Sequence, residues 1–469
     1  MCGRSFFRSR PAALSACFQI RLGVPPLGGP APKPPEAGTP NPGARAQAGI
    51  LKHALSALSG LGAGLYLFGA LLGFPVSGRS ETAIAERWSP ERAGDWQQTN
   101  QWLVGCNFIT SSAINQLEMW QADTFDLKRI DRELGWAEGI GFNSVRVFLH
   151  NLLWTQDAAG FEKRMEKFLQ VAAKHHIKVM FVLFDSCWDP SPALGKQRAP
   201  KPFVHNSGWV QSPGADYMAH PEKLDELKGY VAGVLGHFRN DARIAFWDLY
   251  NEPDNLNDPA YIRIEPAGKQ EAARQLLQKT FAWAREVNPS QPVSSGVWMG
   301  NWADPARLSV MERLQLDNSD IITFHNYGPV DEARKCVENL CRYRRPIICT
   351  EYMARPAGST FDPNLAFFKA EKVGAYNWGF VSGKTQTIYP WDSWKKAYTS
   401  EPPVWFHDIF YSDGTPYRPE EVAFIRSLTL AKGAKRANTA APAKIRPRGG
   451  VGQLIRPLRE SQICRSLTS

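Results

Sequence analysis

The sequence predicts an α/β fold, a (β/α)8 barrel, that forms a single catalytic domain over residues 95–430. Eight short apolar runs suited to buried parallel strands recur along this region, and amphipathic stretches with acidic starts and basic ends lie between them. Eight strands with interleaved helices over about 330 residues match the size of one such barrel. A doubly wound open sheet is the alternative, but no glycine-rich phosphate loop follows the first apolar run.

The apolar runs place the predicted strands at eight positions: 102–109, 143–149, 178–185, 244–250, 292–298, 321–327, 346–352 and 374–381. Helical spacing predicts helices that include 126–139, 161–175, 222–238, 268–287 and 362–373.

The chain before the barrel has two parts. Residues 1–48 are rich in Pro, Gly, Ala and Arg, a composition that cannot bury a core, and we expect a disordered leader. Within 49–78, the stretch 54–78 has no charged residue and is long enough to span a bilayer. We expect a signal peptide or a membrane anchor, with a buried soluble helix as the alternative. The protein is then exported: secreted, periplasmic, or anchored with the barrel outside the cytoplasm.

The net charge of +10 belongs to the two tails. Residues 1–53 carry a net +6 and residues 431–469 a net +8, which leaves the middle of the chain at −4. We expect 431–469 to be a disordered basic tail. A slightly acidic body argues against nucleic acid as a partner.

The eight cysteines show no metal-binding spacing. Cys106, Cys187 and Cys349 lie in or beside apolar runs and are interpreted as small core residues. Cys336 and Cys341 lie five apart and could bridge in an oxidising compartment, or stay unpaired on a helix.

Polar and aromatic side chains mark the carboxyl ends of the predicted strands, where barrel enzymes hold their active sites. They are Arg146 on the second strand, Asp185 and the following Trp188 on the third, Asn251 and Glu252 on the fourth, His325 and Tyr327 on the sixth, Glu351 on the seventh and Trp378 on the eighth.

Two of these residues, Glu252 and Glu351, are expected to face each other across the barrel mouth. Retaining glycoside hydrolysis needs one protonated and one ionised carboxyl about 5–5.5 Å apart, in environments that separate their pKa values. Arg146 and Tyr327 could keep Glu351 ionised through charge and a hydrogen bond. A structural ion pair of Arg146 is the alternative.

Other predicted site residues would contact the sugar. Asn251 can hydrogen-bond a 2-hydroxyl, and Trp378 offers a flat apolar face to a pyranose. The long segment 186–221 is predicted to be a lid or subsite wall, because loops of this length are usually functional or disordered. Its Trp188, His205 and Trp209 are candidate substrate contacts, whereas His325 could also be a satisfied core histidine. Four tryptophans that follow the fifth and eighth strands, Trp298, Trp302, Trp391 and Trp394, could stack on sugars too.

The strand-end residues resemble those of clan A glycoside hydrolases, most closely the cellulase-like family 5, over about 100–430. The matching residues are Arg146, Asn251-Glu252, His325-Asn326-Tyr327, Glu351 and Trp378. The resemblance implies that Glu252 is the acid/base and Glu351 the nucleophile. The family usually has a histidine where this chain has Asp185, and His205, in the following loop, is the candidate to substitute for it.

We therefore expect a retaining hydrolase of β-linked oligo- or polysaccharides, of β-glucan or β-mannan type, that needs no metal or organic cofactor. A non-catalytic carbohydrate-binding barrel and a transglycosylase are the alternatives. A metal-dependent hydrolase on this barrel would require a His-x-His on the first strand, and "GCNFIT" has none.

Overall fold

The computed structural model describes residues 86–430 and 463–464 and shows an eight-stranded parallel (β/α)8 barrel. The strands are β1 (Val104–Asn107), β2 (Ser144–Phe148), β3 (Lys178–Asp185), β4 (Ile244–Asn251), β5 (Val293–Ser294), β6 (Ile322–His325), β7 (Ile347–Tyr352) and β8 (Gly374–Asn377). Each lies within a predicted apolar run or extends one residue beyond it. The strands are buried almost throughout, as expected for parallel strands covered on both faces.

The strand order is β5-β4-β3-β2-β1-β8-β7-β6. The two end strands meet through a parallel bridge between Val297 and Phe324, where the His325 N–H donates to the Val297 carbonyl at 3.0 Å. This bridge closes the barrel.

Helices surround the barrel: α1 (Pro90–Thr99), α2 (Gln116–Trp120), α3 (Leu127–Gly139), α4 (Asn151–Lys174), α5 (Ala215–Ala219), α6 (Lys228–His237), α7 (Lys269–Val287), α8 (Val310–Asn318), α9 (Val330–Leu340), α10 (Phe361–Ala370) and α11 (Pro419–Thr429). Local sequence explains their ends. Ser89 caps α1, which has Pro in its first turn, and Ser309 with Glu312 forms a capping box on α8. The predicted helix at 222–238 is a 3-10 helix over 221–227 before it becomes α6.

The barrel interior is layered because alternate residues of each strand face inward. The bottom layer is apolar and contains Leu103, Met180, Phe246, Ile348 and Tyr376. On β4, Asp248 lies two residues above Phe246 of this layer and pairs with Arg146 of β2, and the site lies above that ion pair.

An irregularity in β7 determines which way Glu351 faces. Ile348 belongs to the barrel interior, whereas Tyr352 packs in the outer layer against the helices. Strict alternation would put both on one face, and the β7–β8 register shifts between them. The shift turns Glu351 inward, which is a common role of bulges beside active sites.

The described residues extend the cysteine prediction and correct part of it. Cys341 forms a disulfide with Cys464, not with Cys336, and Cys336 is a buried free thiol. The predicted leader, the apolar stretch 54–78 and most of the basic tail lie outside the described residues. Among the helices that are described, none has the length and hydropathy needed to cross a membrane.

Candidate active site

The two glutamates at the ends of β4 and β7 meet at the centre of the barrel mouth. One carboxylate oxygen of Glu252 and one of Glu351 lie within 4.8 Å of each other. Both side chains are deeply placed, with 8% of Glu252 and 4% of Glu351 exposed. This separation is close to the ~5–5.5 Å of retaining glycosidases and far from the ~6.5–9.5 Å of inverting ones.

Glu351 is surrounded by groups that favour its ionised form. Its Oε1 accepts from Nη1 of Arg146 at 2.6 Å, and its Oε2 accepts from the Tyr327 hydroxyl at 2.7 Å. Burial raises the pKa of Glu351, and the Arg146 guanidinium and the Tyr327 hydrogen bond offset part of this effect. The carboxylate is thus held rigidly with both oxygens bound.

Glu252 lacks such a cationic contact. Its Oε1 lies 2.8 Å from Nδ1 of His325, and its Oε2 accepts from the Asn255 amide at 2.7 Å and lies 3.3 Å from the Cys187 sulfur. Burial raises the pKa of Glu252, which favours the protonated form that a general acid requires. Its backbone has φ +43°, a left-handed conformation that costs non-glycine residues about 1 kcal/mol or more.

His325 lies between the two carboxylates. Its Nδ1 contacts Glu252 at 2.8 Å, and its Nε2 lies 3.6 Å from Oε1 of Glu351. Burial lowers the pKa of His325 to about 4, so the imidazole is neutral at pH 7. His325 therefore belongs to the site and is not only a core residue.

Arg146 organises the floor of the site and is fully buried. Besides Glu351 it binds Asp248 on β4, with its Nη2 2.6 Å from Oδ2, and its remaining donors reach the side-chain oxygens of Asn107 and Asn251. The predicted ion pair of Arg146 therefore exists, and it involves both the candidate nucleophile and a second carboxylate.

Asp185, at the end of β3, accepts several hydrogen bonds within the site. It is 1% exposed and accepts from the Asn251 amide at 3.0 Å, the Trp209 indole at 2.6 Å and the backbone N–H of Cys187 at 2.9 Å. Burial raises its pKa to about 6. Both Asp185 oxygens are occupied by protein donors, so its contribution is to orient Asn251 and Trp209.

The predicted aromatic contacts fall into two groups. Trp378 is 9% exposed and packs edge-on against Phe148 and Trp209, near the carboxylates. Trp188 stacks on Trp394 above the site.

His205 is 1% exposed, and its Nδ1 lies 2.8 Å from the Tyr389 carbonyl. It lies behind Trp188, with ring centroids 5.6 Å apart, and does not take the position of Asp185. Among the other tryptophans, Trp302 is only 5% exposed and packs on Phe324, as a core residue does, whereas Trp391 is 39% exposed and meets the Tyr327 ring.

Four residues of the site were not predicted from the sequence: Asn107, Asp248, Cys187 and Asn255. Asp248 carries a usable signal, because a carboxylate in a buried strand requires a cationic partner and Arg146 is a buried cation. Cys187, interpreted as a core residue, instead lies partly buried beside the acid, and nothing in its sequence context distinguishes it from Cys106 or Cys349.

Glu252, His325 and Glu351 are also a geometrically possible metal site, since one ligand atom of each lies within 4.8 Å of the others. The Glu351 oxygen nearest His325 is, however, the one bound by Arg146 at 2.6 Å. A cation there would face a buried guanidinium, so the donor set suits proton transfer and nucleophilic attack by a carboxylate better than metal binding.

No protein-family model matches the chain, and no curated protein matches it at a significant level. Several solved structures are similar to it. GH5_18 from Streptomyces cattleya, solved with GlcNAc, is 12% identical, with 73% of this chain and 82% of that chain covered and a TM-score of 0.46.

A β-1,4-mannanase from the sea hare Aplysia kurodai is 16% identical, with 59% and 87% covered and a TM-score of 0.41. An exo-β-1,4-mannosidase from Opitutaceae bacterium strain TAV5 is 18% identical, with 70% and 59% covered and a TM-score of 0.46. At such identities and TM-scores these likenesses carry no weight for the chemistry, which we derive from the site alone.

Proposed function

We propose that the protein is a retaining glycoside hydrolase that acts on a β-linked oligo- or polysaccharide. The observation that carries this proposal is the pair Glu252 and Glu351: one oxygen of each lies within 4.8 Å of the other, and only Glu351 is bound by Arg146 and Tyr327. A binding module without catalysis has no use for two buried carboxylates with opposed environments.

In the first half of the reaction, Glu351 attacks the anomeric carbon and forms a glycosyl-enzyme. Arg146 and Tyr327 hold both of its oxygens, so little reorganisation is needed before attack. Glu252 transfers its proton to the departing glycosidic oxygen. Asn251, fixed by Arg146 and Asp185, is positioned toward the 2-hydroxyl.

In the second half, the ionised Glu252 removes a proton from water, and that water attacks the same carbon and releases Glu351. Hydrogen bonds from Asn255 and Cys187 to Oε2 stabilise Glu252 during this ionised stage. If a sugar hydroxyl replaces the water, the same site transglycosylates, so product analysis with added acceptor decides between the two outcomes.

The test uses alanine variants with azide and an aryl β-glycoside that has a good leaving group. Glu351→Ala should lose nearly all activity, and azide should restore turnover to a glycosyl azide of inverted configuration. Glu252→Ala with azide should give the retained configuration, because the glycosyl-enzyme still forms. Normal turnover by either variant without azide would refute the assignment.

We further propose that the protein is exported. The Cys341–Cys464 disulfide supports this, because disulfides persist mainly in oxidising compartments. Fractionation of expressing cells, with the barrel detected by protease accessibility from outside, tests this localisation.

A further inference from the structure

One side of the barrel mouth is closed by two loops that bind each other. We call residues 201–209, after β3, and residues 383–394, after β8, the loop wall. The backbone N–H of Asn206 donates to the Thr385 carbonyl at 2.8 Å, and the Trp394 indole N–H donates to the His205 carbonyl at 2.9 Å. Further hydrogen bonds run from Gln386 to Lys201 and Val204. These hydrogen bonds join the loop after β3 to the loop after β8. In the sheet, β2 and β1 lie between those two strands.

The loop after β1 fills the space beneath the loop wall. Ser111 accepts from the Lys384 N–H at 3.0 Å, and the Asn115 side chain donates to the Gly208 carbonyl at 2.9 Å. A Cβ added to Gly383 would lie 2.2 Å from the Ser111 oxygen, and one added to Gly208 would lie 2.2 Å from Ile114. Since not even a methyl group fits there, a sugar ring cannot pass.

The loop wall also reaches the opposite side of the barrel. Trp394 stacks on Trp188 with ring centroids 5.6 Å apart and planes 14° apart, and meets Tyr261, after β4, edge-on at 5.2 Å. The Trp188 backbone N–H is bound by Asn257 at 2.7 Å. These aromatic contacts extend the closed region from the loop after β8 to the loop after β4.

The loop wall lies on the side of the barrel mouth that holds the sugar whose anomeric carbon is attacked. Trp378, which the sequence predicts as the flat surface beneath this sugar, packs edge-on against Trp209, with ring centroids 5.7 Å apart, and against Phe148 at 5.8 Å. The cavity between Trp378 and Asn206 of the loop wall measures about 20 Å³, and its lining includes neither Glu252 nor Glu351. That volume holds about one water and no second sugar.

The region beside the acid differs. Asp254, two residues after Glu252, accepts from the Trp298 indole at 2.7 Å, and the adjacent Met299 is 63% exposed. The side chains that border Glu252 on the β5 side therefore reach solvent. In the proposed function, the leaving group extends in that direction.

We infer that the enzyme is exo-acting: it takes the non-reducing end of a β-linked chain into a blind pocket on Trp378 and releases one sugar per cleavage. This inference rests on the proposed function and adds to it the mode of cleavage and the end of the chain that is recognised.

The experiment compares two forms of one reducing-end-labelled oligosaccharide, built from whichever sugar the enzyme accepts as an aryl β-glycoside. One form carries a free non-reducing end, and the other has that end capped as a 4,6-O-benzylidene acetal. We expect the free form to yield the monosaccharide and a labelled product one sugar shorter. The capped form should react at least 100-fold more slowly. Glu351→Ala is the matched control that excludes contaminating glycosidases.

Two results would overturn the inference. Cleavage of the capped form at a comparable rate, or first products from the middle of the chain, would show an open cleft while leaving the proposed function intact. Failure to hydrolyse every aryl β-glycoside and oligosaccharide would instead refute the proposed function, and the exo inference with it.

Discussion

At the scale of single residues, the two carboxylates differ through their neighbours more than through their burial. Both are deeply buried, yet only Glu351 contacts Arg146, at 2.6 Å, while Glu252 contacts the neutral His325. Burial raises the pKa of both, and the guanidinium and phenol oppose this at Glu351. The neighbours of Glu351 should therefore control the acidic limb of the pH–activity profile, and the neighbours of Glu252 should control the alkaline limb.

Tyr327→Phe should affect the acidic limb of kcat/KM. The Tyr327 hydroxyl stabilises the ionised form of Glu351, so its loss raises the pKa of Glu351 and activity is lost at a higher pH. A hydrogen bond to a charged group contributes about 1.5–3 kcal/mol, which corresponds to about one to two pH units. The exposed Tyr411→Phe is the control. An unchanged acidic limb in Tyr327→Phe would contradict this role.

Cys187→Ala should affect the alkaline limb. The thiol, 3.3 Å from Oε2 of Glu252, lowers the pKa of that carboxyl as a hydrogen-bond donor. Without it the pKa rises, and the protonated, active form persists to higher pH. Cys187→Ser retains a donor and should keep the limb near its original position. Equal shifts in the Ala and Ser variants would show that volume, and not hydrogen bonding, matters at this position.

At the scale of elements, a buried ion pair connects the loops after β3 and β4 to the start of α7. Lys269 is fully buried, its Nζ lies 2.8 Å from Glu265, and it donates to the carbonyls of Ser186 and Asn255. Those carbonyls belong to the segments that carry Cys187 and Glu252. The acid is thus positioned by a helix that never enters the site.

Lys269→Met should lower the free energy of unfolding by about 3–5 kcal/mol, because Glu265 would keep a buried charge without its partner. Urea denaturation measures this loss. The double variant Lys269→Met/Glu265→Met removes both charges and should recover part of it. A single variant as stable as the unaltered protein would mean that Glu265 finds another partner or binds a proton at no cost.

The elements themselves were largely predictable from the sequence, because the strands are continuous apolar runs and the helices are amphipathic. The bulge that turns Glu351 inward was not, since a one-residue irregularity leaves the apolar pattern of "PIICTEY" unchanged. The expectation that site residues lie at the carboxyl ends of the strands still identified most of the residues around the carboxylates. It missed Asn107 and Asp248, which contact Arg146 on the floor of the site, and Asn255, which contacts Glu252.

At the scale of the whole molecule, the features that the sequence did not predict are contacts between residues far apart in the chain. The segment 186–221 was predicted to be a lid or subsite wall, and hydrogen bonds that join it to the loop after β8 connect residues more than 180 positions apart. No local pattern predicts such a pairing. The same is true of the disulfide, whose cysteines are separated by 123 residues.

Cys464→Ser should reduce stability through the unfolded state. The Cys341–Cys464 bond closes a long loop, and such bonds stabilise by about 2–4 kcal/mol. We expect a lower Tm for the variant, and an equal Tm for the reduced protein and the variant. Cys336→Ser, which removes a free thiol, should leave the effect of reducing agent intact. If reduction leaves the Tm unchanged, the bond does not form in solution.

The stereochemistry of the first-formed product tests the central claim most directly. Proton NMR during hydrolysis of a β-glycoside records which anomer appears before mutarotation. An attack by Glu351 followed by an attack by water inverts the anomeric carbon twice, so we predict that the β-anomer appears first. Initial release of the α-anomer would show a single displacement and would contradict the roles assigned to Glu252 and Glu351.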